Sequence, residues 1–161
     1  LGPGRMAAPD QIVDYTWGRA NTFFDQDLDG VTHVDFTQPY DAGLRRELLA
    51  AAERCAVPIF DGGCYGATQG PRLETAAEIQ RLRRDGCDMV GMTGMPEAVL
   101  ARELELPYAT CAVVANWAAG VRDSAPISME GIERILKEGM ANVRTVLGAL
   151  INGNGPSGGC G

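Results

Sequence analysis

Thirty residues, Thr68 to Glu97, constrain most strongly what this chain can fold into. They read TQGPRLETAAEIQRLRRDGCDMVGMTGMPE and combine a Gly-Pro turn, a helix start, an apolar run and a second turn. Thr75 and Glu78 have the T-x-x-E spacing of a capping box, which opens a helix. Asp88 to Met92 then reads as a buried strand. A short helix that leads directly into a buried strand indicates an α/β domain.

The rest of the chain continues this alternation of strands and helices. Asp10 to Tyr15 and Tyr108 to Ala115 read as strands, and Ser128 is placed to cap a last, longest helix. We therefore predict one α/β domain over residues 1–151, with a mostly parallel or mixed central sheet flanked by helices and a long C-terminal helix. Residues 152–161 are Gly-rich, and we expect a disordered tail there.

Two local patterns describe the middle of the chain. Asp41 is placed to cap a helix. Further on, Asp61-Gly62-Gly63 separates the pairs Ile59-Phe60 and Cys64-Tyr65. Two short apolar segments around a Gly-rich turn are typical of a β-hairpin, so we predict one here.

Composition excludes several classes of protein. The formal net charge of −7 argues against nucleic-acid binding, which normally needs a basic surface. No apolar run reaches the roughly 18 residues of a membrane span, and no signal peptide opens the chain. The number of cysteines is odd and no pair has CxxC spacing, so we expect free thiols and a cytoplasmic location. The cysteines are Cys55, Cys64, Cys87, Cys111 and Cys160.

A metal site is not expected. Asp25, Asp27 and Asp29 have the D-x-D-x-D-G spacing of a calcium loop, but Phe36 stands where the ligand glutamate belongs. The acidic run is more simply a solvated face.

Candidate ligand contacts follow the predicted strands, because ligands of such sheets bind beyond the carboxyl ends of the strands. The Asn116 amide offers both a donor and an acceptor to a ligand, or satisfies its own turn. Thr93 either helps to hold an anion or caps the next helix. Glu74 either pairs with Arg72 or accepts from a ligand N–H.

Two further residues have equally open alternatives. Met92 is either a core residue or a ligand contact. His33, the sole histidine, is either a satisfied structural group or a member of a site.

Four stretches of the chain resemble the trimeric purine nucleoside phosphorylase and methylthioadenosine phosphorylase family. The likeness extends from Gly2 to about Ile151 and includes the asparagine after the final strand and the long last helix. The stretches are DQIVDYTWGRANTFFD from Asp10 to Asp25, VTHVDFTQPY from Val31 to Tyr40, TQGPRLETAAEI from Thr68 to Ile79 and DMVGMTGMPEAVLARELELPYA from Asp88 to Ala109.

The resemblance implies phosphorolysis, in which a purine nucleoside and inorganic phosphate give the free base and a pentose 1-phosphate. Phosphate is then a co-substrate and no cofactor is needed. By resemblance Asn116 is the catalytic residue, binding the purine at N7 and O6, and Glu74 reads the N1–H of a 6-oxopurine. Met92 lies under the ribose and Thr93 contacts phosphate. Leu73 stands where the family usually has a base-stacking phenylalanine.

The resemblance also bears on specificity. Adenine-type members have aspartates where Asn116 and Ala118 stand, so Asn116 favours a 6-oxopurine. Met129 replaces a histidine of the inosine enzymes, and a thioether there suits a 5'-methylthio group. His33 resembles a histidine that reaches the 5' pocket from a neighbouring subunit, in a homotrimer or a dimer of trimers. The resemblance thus implies 5'-methylthioinosine, with inosine or guanosine also accepted, in purine and methylthionucleoside salvage.

One departure from the family leaves alternatives open. The family chain has roughly a further third at its amino end, with a Gly-rich phosphate loop that nothing here matches. We therefore expect incomplete phosphate binding by these residues alone. The alternatives are a methylthioadenosine phosphorylase, or a non-catalytic fragment that binds purine or oligomerises.

Overall fold

The structure, a computed structural model, describes residues 1–25, 33–121 and 129–153. The predicted α/β class and the long C-terminal helix are confirmed. In chain order the elements are β1 (Met6–Ala8), β2 (Gln11–Asp14), α1 (Ala42–Arg54), β3 (Ile59–Asp61), β4 (Cys64–Ala67), α2 (Ala76–Arg84), β5 (Met89–Gly91), α3 (Glu97–Glu103), β6 (Ala112–Val113) and α4 (Met129–Asn152).

The strands form two three-stranded sheets. The first has the order β3-β1-β6, with β1 parallel to β3 and antiparallel to β6. The second has the order β2-β4-β5 and is parallel throughout. Because all strands of the second sheet run in the same direction, the turns after β4 and β5 lie on the same side of the sheet, at the carboxyl ends of its strands.

The predicted hairpin is wrong, because β3 and β4 lie in different sheets. Gly62 and Gly63 have φ values of +103° and +93°, which favour glycine. The Gly62 amide donates to the Ala8 carbonyl at 2.9 Å, and the Asp10 amide donates to the Gly63 carbonyl at 3.1 Å. The two glycines therefore carry the chain from one sheet to the other, beside the β1-to-β2 crossing. Their bonding partners lie about fifty residues away, so local turn chemistry misses them.

Two of the three predicted helix caps lie where the sequence places them. The Asp41 carboxylate accepts from the Leu44 amide at 2.6 Å at the start of α1. Thr75 and Glu78 form a complete capping box at the start of α2. Gly86, with φ of +91°, follows the end of that helix.

Four predicted segments change in extent, and two of them, β2 and β5, lose one residue at each end. The strand predicted from Tyr108 to Ala115 shortens to β6, because its partner β1 has only three residues. The helix α4 reaches Asn152, one residue into the predicted tail. The disordered tail, the acidic run and the last helix cap stay predictions. The residues they depend on lie outside the described residues, at 154–161, Asp27, Asp29 and Ser128.

The buried side chains form two clusters, one for each sheet. The first joins β1 to α1 and α4 through Ala8, Leu48, Ala51, Ala52 and Val146. The second lies between β4 and α3 and consists of Tyr65, Ala67, Met95 and Ala98. Among the described residues, no helix is long and apolar enough to cross a bilayer.

Candidate active site

Three of the residues predicted to contact a ligand, Glu74, Met92 and Thr93, lie in the turns that follow β4 and β5. Thr68 follows β4, and its amide donates to the Gly91 carbonyl of β5 at 2.8 Å. The Thr68 hydroxyl donates to a Glu74 carboxylate oxygen at 2.6 Å and lies 3.3 Å from the same Gly91 carbonyl. Thr68 thus fastens the half-buried Glu74 side chain to the carboxyl edge of the second sheet.

The arginine nearest to Glu74 in the sequence, Arg72, pairs with Glu78 and not with Glu74. Arg72 forms two hydrogen bonds with Glu78, at 2.7 and 2.8 Å. Hydrogen bonds from Arg72 and from the Thr75 amide lower the pKa of Glu78 to about 2. Of the two alternatives drawn from the sequence, surface pairing of Arg72 with Glu74 is therefore not what the structure has.

Met92 packs directly on the Gly-Pro turn. Gly70 has φ of +63°, and a Cβ added there would overlap the Met92 sulfur and lie 3.1 Å from its Cγ. Only glycine lets the turn approach this closely. The turn that leads to Glu74 and the methionine predicted to lie under a ribose are therefore in contact.

Thr93 is exposed, and its position depends on Tyr65, which sequence reasoning missed. The two hydroxyl oxygens are 3.2 Å apart, and the Thr93 amide donates to the Tyr65 hydroxyl at 3.4 Å. A Cβ added at Gly91 would lie 2.9 Å from the Tyr65 Cζ, so this glycine makes room for the ring. The buried tyrosine orients the residue predicted to contact phosphate.

Arg19 is a second residue that sequence reasoning missed. Its guanidinium donates to the turns after β4 and β5, through contacts with Thr68, Gln69, Met92 and Met95. The available signal was its place in the Asp10–Asp25 stretch that carries the family resemblance.

Asn116 and Ala118 line a separate groove of about 510 Å³. Two edge strands border it, through Met89 and Val90 of β5 and through Val114 just after β6. Glu74 instead lines a cavity of about 470 Å³ with Tyr15, Trp17, Arg72 and other side chains from the turn and α2. The structure therefore does not bring Glu74 and Asn116 into one cavity.

The two surfaces nevertheless adjoin at the start of α2. A Cβ added at Gly120 would lie 2.8 Å from the Ala76 Cβ, so the segment after Asn116 packs against this helix start. Ala76 follows Glu74 by only two residues. The Asn116 amide donates to the Trp117 carbonyl at 2.8 Å, as the local-turn alternative predicts. Donation to a ligand would require this bond to be exchanged.

The remaining predicted contacts lie apart from these two cavities. Leu73 is 45% exposed, and Met129, the first residue of α4, is 66% exposed. His33 is also exposed, in a segment that belongs to no strand. None of the three lines the cavities of Glu74 or Asn116. Their predicted roles in stacking and in the 5' pocket stay predictions.

Polar side chains beyond the carboxyl ends of parallel strands are typical of α/β proteins that bind ligands there. The chain belongs to the phosphorylase superfamily, whose family model matches residues 1–152. The family resemblance read from the sequence is confirmed.

Individual relatives narrow the comparison. The chain is 53% identical to a probable S-methyl-5'-thioinosine phosphorylase of Xanthomonas campestris, over 95% of this chain and 61% of the relative. It is 44% identical to a 6-oxopurine nucleoside phosphorylase of Pyrococcus furiosus, over 93% of this chain and 58% of that one. The chain therefore spans about 60% of the length of these relatives.

Solved structures agree with the fold. A methylthioadenosine phosphorylase from Schistosoma mansoni in complex with adenine superposes with a TM-score of 0.88 at 27% identity. That match covers 98% of this chain and 62% of the other. A methylthioadenosine phosphorylase from an antarctic soil metagenomic library gives 0.85 at 31% identity, covering 94% and 53%.

Proposed function

We propose that this protein cleaves purine nucleosides by phosphorolysis and prefers 6-oxopurine substrates, 5'-methylthioinosine before inosine or guanosine. The observation that carries the proposal is the Thr68–Glu74 hydrogen bond of 2.6 Å beside the Gly70–Met92 contact. These contacts hold the Glu74 carboxylate and the Met92 side chain on adjoining turns, which supports their proposed roles in contacting the base and the ribose. Relatives that share about half of the residues carry names for this activity.

The chemistry suits these side chains. When the glycosidic bond breaks, the sugar becomes oxocarbenium-like and the purine gains negative charge. A hydrogen bond that strengthens as this charge develops lowers the barrier. The Asn116 amide supplies that bond after it leaves the Trp117 carbonyl, an exchange that costs on the order of 1 kcal/mol. The Glu74 carboxylate accepts the N1–H that a 6-oxopurine presents and adenine lacks. Leu82 lines both the Glu74 cavity and the Asn116 groove, so we place the purine across their shared boundary, where it contacts both side chains.

The remaining roles are assigned on the family resemblance. Thr93 contacts phosphate with its hydroxyl oriented by Tyr65. Met129 and a neighbouring subunit's His33 surround the 5' group in a homotrimer, and the protein works in the cytoplasm. Sedimentation of the purified protein tests the assembly, and a monomer that retains full activity would contradict it.

The direct test is phosphate-dependent release of hypoxanthine. Purified protein is incubated with 5'-methylthioinosine or inosine, with and without phosphate, and the base is measured by chromatography. We expect release only with phosphate, and faster release from the methylthio nucleoside. Absence of release from both nucleosides refutes the proposed activity.

Exchange of one side chain tests the specificity. In Asn116→Asp a carboxylate can accept from the 6-amino group of adenine, and it repels the purine O6 when ionised. We expect the ratio of kcat/KM for methylthioadenosine to that for methylthioinosine to rise about 10-fold or more, which corresponds to about 1.4 kcal/mol. Asn142→Asp, on an exposed position of α4, is the matched control. An unchanged ratio in Asn116→Asp would show that this residue does not read the base.

Two other functions have specific support. The S. mansoni and metagenomic structures are methylthioadenosine phosphorylases, and faster cleavage of methylthioadenosine would favour that activity. Purine binding without turnover is supported by the Asn116 amide, which donates to the Trp117 carbonyl and not towards a reacting base. Hypoxanthine binding without release, by a protein whose intact mass is near 17.1 kDa, would identify this case.

A further inference from the structure

We propose that Arg19 is a positioning residue, whose guanidinium holds the turn after β4 and the turn after β5 at the spacing a nucleoside requires. The proposal rests on the proposed function for its effect on substrate. The holding of the two turns by Arg19 can be tested by itself.

The hydrogen bonds of Arg19 cross between the two turns. On the side of β4, Nη2 donates to the Thr68 carbonyl at 3.3 Å and to the Gln69 carbonyl at 3.1 Å, and Nε donates to the Gln69 Oε1 at 3.3 Å. On the side of β5, Nη2 donates to the Met92 carbonyl at 3.1 Å, and Nη1 donates to the Met95 carbonyl. One planar group therefore joins both turns at several points.

These acceptors explain why the residue is an arginine. Carbonyls of a turn have no ladder partner of their own, and they need donors when water is excluded. The guanidinium presents five N–H donors in a rigid plane, whereas a lysine ammonium presents three from one point on a flexible stem. Gln69 extends the link, because its Oε1 also accepts from the Trp17 amide at 3.1 Å.

The Arg19 hydrogen bonds, which we call the Arg19 clamp, involve residues that also form the candidate site. Thr68 and Met92, whose carbonyls it binds, also carry the contacts to Glu74 and Gly70 described above. Among the described hydrogen bonds, those that join the two turns without Arg19 all run from Thr68 to the Gly91 carbonyl. Loss of the guanidinium should let the base-reading and ribose-contacting turns separate while the buried cluster around Tyr65 persists.

The chain offers a matched control in Arg45. This arginine also bridges backbone carbonyls, donating to Pro9 at 3.0 Å and to Ala8 at 2.8 Å, and it pairs with Asp61. It lies at the first sheet, away from the turns after β4 and β5. Arg45→Met therefore removes a comparable half-buried guanidinium without touching the candidate site.

The experiment compares Arg19→Met, Arg19→Lys and Arg45→Met in the full chain. Amide hydrogen exchange is followed over residues 68–70 and 92–95, and nucleoside KM and kcat are measured well below the melting temperature. We expect Arg19→Met to speed exchange in both turns at least 10-fold and to raise KM about 10-fold to 100-fold, with a smaller change in kcat. Arg19→Lys should recover part of this effect. Arg45→Met should lower the melting temperature and leave KM and the turn amides unchanged.

Each outcome decides something. Unchanged exchange in the two turns of Arg19→Met refutes the clamp, and faster exchange with an unchanged KM refutes its role in positioning substrate. An equal rise of KM in Arg45→Met would show a general effect of destabilisation and also refutes that role. If the unmodified protein neither binds hypoxanthine nor cleaves nucleosides, the proposed function fails, and the exchange comparison still decides whether Arg19 holds the turns.

Discussion

Gly70→Ala tests whether the Gly-Pro turn and Met92 pack as closely as the candidate site requires. The substitution has two physical costs. Alanine at φ of +63° occupies a left-handed conformation, which costs roughly 1–2 kcal/mol. The new Cβ also overlaps the Met92 sulfur and lies 3.1 Å from Cγ and 3.3 Å from Cε, and overpacking of this kind costs about 1–3 kcal/mol. Together the free energy of unfolding should fall by about 2–5 kcal/mol.

Gly86→Ala separates the two costs. Gly86 also has a positive φ, of +91°, but a Cβ there meets nothing within 4 Å. Its substitution should therefore carry only the conformational cost of roughly 1–2 kcal/mol. At about 2–4 °C per kcal/mol for a chain of this size, Gly70→Ala should melt roughly 2–12 °C below Gly86→Ala.

The assay is urea and thermal unfolding of both variants, followed by circular dichroism. A double-mutant cycle with Met92→Ala then isolates the contact, because truncation of the methionine removes the overlap and should recover part of the lost stability. Nucleoside KM should rise in Gly70→Ala, since Met92 must leave its place. Equal destabilisation in the two glycine variants would mean that Met92 does not occupy the space beside the turn.

Two further predictions concern α4 and α2. Gly139→Ala should lower the free energy of unfolding by about 1–3 kcal/mol, because its Cβ would lie 2.5 Å from Val113 Cγ1. Gly148→Ala in the same helix meets no atom within 4 Å and should raise the free energy of unfolding by about 0.5–1 kcal/mol. Urea unfolding of both variants measures these opposite signs, and equal stabilisation would contradict the packing of α4 on β6. The pKa of Glu78 is lowered from 4.5 to about 2. The stabilisation that the ionised Glu78 gives to α2 is therefore fully present above pH 4.5 and is lost as the pH falls through about 2. Carbon NMR titration of the Glu78 carboxyl measures this, and an ordinary midpoint would show that Arg72 does not bind it.

Helix boundaries could be predicted from the sequence because a cap depends on residues within four positions of each other. Asp41 with Leu44 and Thr75 with Glu78 are such pairs, and both are as expected. The end of α2 is equally local, because Gly86 follows it with a φ of +91° that favours glycine. Strand β5 was recognisable because a short apolar run between helices has few alternatives.

Sheet partnership could not be predicted in the same way. The Asp61-Gly62-Gly63 turn looks like a hairpin locally, but Met6–Ala8 supplies a parallel partner to β3 and Gln11–Asp14 supplies one to β4. Which of two competing partners a strand takes depends on packing across the whole chain. The division into two sheets follows from that choice.

For the candidate site, the order of residues along the chain is enough to say which chemical groups follow the strands, among them Glu74, Met92, Thr93 and Asn116. Which of these groups meet depends on how the chain folds. Thr68 fastens Glu74, Arg19 joins the two turns, and Asn116 faces a different cavity. These contacts cannot be read from the sequence, because the donor that orients a side chain is whichever one folding brings to its acceptor. Arg19 bonds to carbonyls 49 to 76 positions away, a pairing that only the folded chain defines.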